Sequence, residues 1–158
     1  MSEKPRNPYA APQAHVGQQE SAGNAASAAL IGASVNLGAY WAVASIPGWV
    51  YMWTLVGAGV PSSQVYWRTY QSIPFLLLEH GISIGCQLVG GYWAAKLCPR
   101  GAMKSALVAG VMVAVFALLQ DTLTPYDLPI PLWSRALSVL TPLPVFLFGA
   151  MWLRRRVR

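Results

Sequence analysis

Four ionisable residues lie within or beside otherwise apolar runs: the adjacent pair Glu79 and His80, then Asp121, then Arg135. Such side chains are expensive inside a membrane-spanning helix and usually have a partner or a task. Glu79 and His80 fall six and seven residues into their apolar run, about 10 Å deep at the helical rise. Asp121 near the end of the next run and Arg135 near the start of the last approach the same level. A carboxylate, an imidazole and a guanidinium there make an ion-pair network, a proton-responsive site or a small polar pocket, with Arg135 as the partner considered for Glu79. Each also has a plainer reading, in which Arg135 snorkels outward, Asp121 caps its helix and His80 faces headgroups.

Other chemistries find little support. Adjacent Glu79 and His80 point about 100° apart on a helix, and no spacing that aims metal ligands together occurs. There is no nucleophile elbow, P-loop or dinucleotide fingerprint. The expectation is therefore no enzyme, no metal and no cofactor. Trp41, Trp49 and Trp53 suit lipid anchoring and packing better than a pigment or quinone pocket, and no mid-span His is placed to ligate haem.

The elements that position these residues follow from composition. Of 158 residues, 55% are apolar and only 10% charged, with a mean hydropathy of +0.43, whereas a soluble domain carries about 25% charged residues. This predicts an all-α membrane protein with four transmembrane helices. Residues 1–24 are rich in Pro, Gln, Ala and Gly without apolar period and read as a disordered tail; 25–158 form the transmembrane domain. The expected spans are about 26–60, kinked at Pro47, then 73–97, 102–123 and 132–153. The first is long for one helix, and a helix with a re-entrant piece, or two passes, is its alternative. Between it and the second, Tyr66, Trp67 and Tyr70 beside Arg68 suit the headgroup interface. Cys86 and Cys98, twelve residues apart on one helix, would be separated by about 18 Å, too far for a disulfide.

Seven of the eleven basic residues form two groups, Lys96, Arg100 and Lys104, then Arg154, Arg155, Arg156 and Arg158. Basic clusters flanking apolar runs mark the cytoplasmic side of a membrane rather than a nucleic-acid surface. Both termini are thus expected in the cytoplasm, with the clusters drawing anionic lipid headgroups to that face.

On a helical wheel the second span gathers Glu79, His80, Ser83, Cys86, Gln87, Gly90 and Ala94 into one arc. Small and polar residues on one side of a membrane helix are the usual contents of helix interfaces. Gly81 and Gly85 form a G-x-x-x-G pair that projects away from that arc. The leading functional expectation is a non-enzymatic protein acting by helix association, as an accessory subunit of a membrane complex or a homo-oligomer. The alternative is a small transporter or a pH or ligand sensor that uses the outer polar cluster.

The stretch GGYWAAKLCPRGAMKSALVAG from Gly90 to Gly110, then Pro131-Leu132-Trp133 and the ending LTPLPVFLFGAMWLRRRVR, resembles a group of small uncharacterised bacterial four-span membrane proteins. The shared features are a G-G-Y-x-A-A approach to a basic Pro-Arg loop and an Arg-rich tail. The likeness covers the chain from about Ile73 onwards. It implies four spans and a bacterial inner membrane, and carries no catalytic residue.

Overall fold

The structure, a computed structural model, describes residues 24–123 and 130–156. The tail expected over 1–24 therefore lies, apart from Asn24, outside the described residues, as do the 124–129 loop with Asp127 and the residue Arg158. Six α-helices and one 3-10 turn follow one another: α1 (Ala25–Gly57), α2 (Ser62–Gln71), α3 (Ile73–Leu97), the turn Pro99–Gly101, α4 (Ala102–Leu123), α5 (Leu132–Leu140) and α6 (Pro142–Arg156). No strand occurs among the described residues. Among the described residues four segments are long and apolar enough to cross a membrane: α1, α3, α4 with its preceding turn, and α5 continued by α6.

The first span is one helix of 33 residues that carries Pro47 inside it. Asn24 caps it, its side chain accepting the Ala26 N–H at 3.1 Å. Its buried residues Ala28, Ala29, Gly32, Ala33 and Asn36 make one stripe in the first half, whereas only Gly48 is buried beyond them. Trp41, Trp49 and Trp53 on the second half are exposed apolar surface, the arrangement expected of side chains that face lipid.

The interface segment after span one is helical, as α2, because Val65 and Thr69, one turn apart, are both buried. The fourth span, expected unbroken over 132–153, divides at Thr141 into α5 and α6. Pro142 has no N–H to offer the Ser138 carbonyl and its ring crowds that turn; Pro144 repeats the defect two residues later.

Close backbone approach holds the bundle together. A Cβ built on Gly32 would lie 2.7 Å from the Gly90 carbonyl oxygen, and one on Gly90 2.7 Å from the Gly32 carbonyl. A Cβ at Gly91 would strike the Phe146 backbone, and one at Gly149 the Leu88 carbonyl. α1, α3 and α6 thus meet through glycine surfaces, the usual device where lipid removes the hydrophobic drive for helix pairing. Phe146, fully buried, fills the centre with Ala29, Ala33, Ala94, Ala109 and Val113. Ser105 ties α4 to α3 by donating to the Ala94 carbonyl at 2.9 Å.

At one end of the bundle Ala95, Ala102, Ala106 and Ala150 cluster with Met103 and Leu153. The Pro99–Gly101 turn and the start of α1 lie at that end too, since a Cβ on Gly101 would be 3.9 Å from Ala25 Cβ. The first basic cluster and the end of α6, which carries Arg155, therefore lie at the same end. The Lys96 ammonium there sits 4.7 Å from the Trp93 ring centroid.

Candidate functional site

At the opposite end the helices part around a cavity of about 190 Å³. Its lining comes from α1 (Tyr40), α2 (Tyr66, Tyr70), α3 (Leu76, Glu79, His80, Ser83), α4 (Ala117, Gln120, Asp121), Ile130, and α5 (Ser134, Arg135, Ser138). Glu79, His80, Asp121 and Arg135, separated by 56 positions in the chain from first to last, all face this one space.

Their pairing departs from the expected one. Arg135 meets Asp121 at 3.4 Å, with both side chains about a quarter to a third exposed. Glu79 instead accepts a hydrogen bond from the Tyr40 hydroxyl at 2.5 Å. Asp121 lies in the last turn of α4 and Arg135 in the first turn of α5, and these two helices pack together. Tyr40, on the helix packed most extensively against α3, reaches Glu79 from the other side. His80 Nε2 lies 2.8 Å from the buried Ser134 hydroxyl, and its ring is 5.7 Å from that of Trp133.

α2 supplies the aromatic wall. Tyr66 and Tyr70 pack edge to face with centroids 4.8 Å apart, and Tyr51 holds the turn into α3 by donating to the Ser72 hydroxyl at 2.7 Å. Burial, reinforced by the hydrogen bond with Tyr66, pushes the Tyr70 hydroxyl above the usual tyrosine range.

Below the cavity the polar row on α3 continues inward. Ser83 lies one turn from Glu79, and Gln87 one turn further donates its amide to the Ser83 hydroxyl at 3.0 Å. Gln87 is 2% and Asn36 of α1 3% exposed. Asn36 faces the same stripe, its Cβ 2.9 Å from a Cβ placed on Gly90. The acceptor oxygens of both amides are buried without a hydrogen-bonding protein group.

Gly90 and Ala94 pack within the chain, whereas Gly81 and Gly85 look onto open space with nothing within 4 Å. Cys86 and Cys98 are free and buried. Among the described residues no three His, Cys, Asp or Glu side chains are grouped to hold a metal. Lys96, Arg100, Lys104 and Arg155 are exposed; the side chains of Arg154 and Arg156 lie outside the described residues.

Tyr40, Ser134 and Ser138 were not singled out by their residue types. A signal for Tyr40 exists in the sequence: it follows Gly32 and Asn36 at intervals of four, so it shares their helix face. The chain matches no known family, no curated protein and no solved structure.

Proposed function

We propose that the chain is a non-enzymatic, multi-pass protein of the bacterial inner membrane that binds a small polar solute in this cavity, as a transporter or sensor does. The carrying observation is that Glu79, His80, Asp121 and Arg135, from three different helices, line one space, while Lys96 and Lys104 of the same spans lie at the other end. Such residues mark pathways and binding sites in membranes because their burial is costly. The basic clusters at the other end support a cytoplasmic placing of that end and of both termini, with the cavity opening outward and anionic lipids against Lys96, Arg100, Lys104 and the C-terminal arginines.

The test is accessibility. In a Cys86→Ala, Cys98→Ala background, Ser138→Cys should react with an impermeant thiol reagent added outside, while Val113→Cys in the core stays unreactive. If Ser138→Cys reacts no faster than Val113→Cys, the cavity is not a solute site. Reporter fusions after Asn24, Arg68, Arg100, Asp127 and Arg158 test the orientation, and an external signal at Arg100 or Arg158 would overturn it.

A second reading, association with another membrane subunit or a second copy, is favoured by the open strip at Gly81 and Gly85. Glycine strips allow close helix approach in lipid. Mass determination after mild-detergent purification tests it: a stoichiometric complex lost in Gly85→Leu supports it, and a monomer rejects it.

A further inference from the structure

We infer that the ligand of this cavity is a small organic monocation, an ammonium compound held between Glu79 and the tyrosines of α1 and α2. The inference rests on the solute-site reading above and names the class of solute. It begins with charge. Among the described lining residues two are carboxylates and one is a guanidinium, and Asp121 and Arg135 neutralise each other at 3.4 Å. Glu79 receives one hydrogen bond, from the neutral Tyr40 hydroxyl, and no described cation pairs with it. With His80 counted as neutral, the described lining residues carry one uncompensated formal negative charge, and a monocation balances it.

The polar groups behind Glu79 have the same bias. Gln87 Oε1 and Asn36 Oδ1 are buried acceptors that no protein donor reaches, on the seam that runs inward from Glu79 and Ser83. A buried acceptor without a donor is costly, and both lie deeper than the residues that line the cavity. An anion would meet the unpaired Glu79 carboxylate unfavourably, and the guanidinium that would attract it is already paired with Asp121.

The walls select an organic cation over a metal ion. Hard cations take six or more oxygen ligands in a tight shell, whereas this space of about 190 Å³ is walled by Tyr40, Tyr66 and Tyr70. Aromatic walls around a carboxylate suit an alkylammonium group, whose attraction to ring faces grows as water is excluded.

The experiment is thermal unfolding of the full chain in detergent, followed by Trp fluorescence, with choline, tetramethylammonium or methylammonium chloride against sodium chloride at equal ionic strength. 3,3-Dimethyl-1-butanol serves as the uncharged analogue of choline. At least one ammonium salt should raise the melting temperature saturably, with the neutral analogue at least about tenfold weaker. Glu79→Gln should weaken binding about tenfold to a hundredfold, the loss of a charged hydrogen-bonding partner. Tyr66→Leu with Tyr70→Leu should weaken it about tenfold, a readout that stands if Glu79→Gln fails to fold. A sodium effect equal to that of the ammonium salts, an equal effect of the neutral analogue, or no saturable effect from any of the three ammonium salts overturns the proposal. Should Ser138→Cys remain reactive while the ammonium salts do nothing, only the ligand class is wrong; should it be unreactive, the solute site itself is wrong.

Discussion

Replacing Gly91 by Ala tests how α3 seats on α6. A Cβ at this position would press on the Phe146 carbonyl oxygen and lie 2.8 Å from Phe146 Cα and 2.9 Å from its carbonyl carbon. All three are main-chain atoms inside a helix, so no side-chain rotation relieves the contact. Restoring ordinary separation moves the helices apart by roughly 0.5–1 Å, and a gap of that size forfeits a quarter to a half of the dispersion attraction along the interface. Overpacking of this kind costs about 1–3 kcal/mol, against which Ala gains up to about 1 kcal/mol over Gly in helix propensity. The net loss should be about 1–2 kcal/mol, or roughly 2–8 °C in a chain of this size. Gly85→Ala is the control: nothing lies within 4 Å of its Cβ, so it should melt at or above the parent temperature. Thermal unfolding of purified protein in detergent reads both. Equal melting of Gly91→Ala and Gly85→Ala would refute the packing of α3 on α6, and with it the placing of the cavity residues on the remaining faces of α3.

Three further outcomes follow from the same contacts. Tyr70, whose folded-state ionisation is pushed upward mainly by burial, should ionise above the usual tyrosine range in an absorbance titration near 295 nm; its protonated form supports the fold below about pH 10, the unfolded value, and that support is lost as pH rises further, so Tyr70→Phe should flatten the alkaline loss of stability. Asp121→Asn should destabilise by less than about 1 kcal/mol and by less still at high salt, because its ion pair with Arg135 is partly exposed. Changing Arg154, Arg155 and Arg156 together to Gln should lower the anionic phospholipid that co-purifies, measured by lipid mass spectrometry, since each basic residue near the surface attracts such lipid by about 1 kcal/mol; unchanged lipid content would remove that role.

How much of this was legible in the sequence varied with the physical signal. The ends of α3 and α4 were, because Pro74 near the start of one and Cys98-Pro99 between them are strong helix punctuation in an otherwise apolar run. The break at Thr141 was not, because a twenty-residue apolar window reports hydropathy and is blind to a missing N–H at Pro142. α2 reads as interface because its Tyr, Trp and Arg match headgroup chemistry, whereas its packed face rests on Val65 and Thr69, whose burial shows only in the structure. In the site, Glu79, His80, Asp121 and Arg135 stood out because charge in an apolar run is costly. Their partners did not, because Tyr40 and Ser134 are common in membrane helices and gain meaning only from the residue opposite. Which carboxylate Arg135 meets depends on how the connection between α4 and α5 returns, a property that spacing alone does not encode.

The division of α3 into two kinds of surface accounts for where the cavity lies. Its second half presents Gly90, Gly91, Ala94 and Ala95, all buried, and these let α1 and α6 approach to backbone contact. The first half presents Glu79, His80 and Ser83, whose side chains hold neighbouring helices at arm's length while Tyr40, Ser134 and Arg135 fill the margin. A bundle closed by glycine at one end and propped by long polar side chains at the other is wedge-shaped, and a wedge has an opening on one side only. The bend at Thr141 sharpens this, since α5 lines the space and α6 packs on Gly91 and Gly110 beyond it. On the proposed reading a solute would enter from the end away from the basic clusters, meet Glu79, and be stopped about three turns deeper, where Gly32 and Gly90 touch. Passage across would require the α1 and α3 backbones to separate at that glycine contact, so Gly32→Ala and Gly90→Ala, which wedge it, should disturb transport and stability together, whereas a pure sensor would lose only stability.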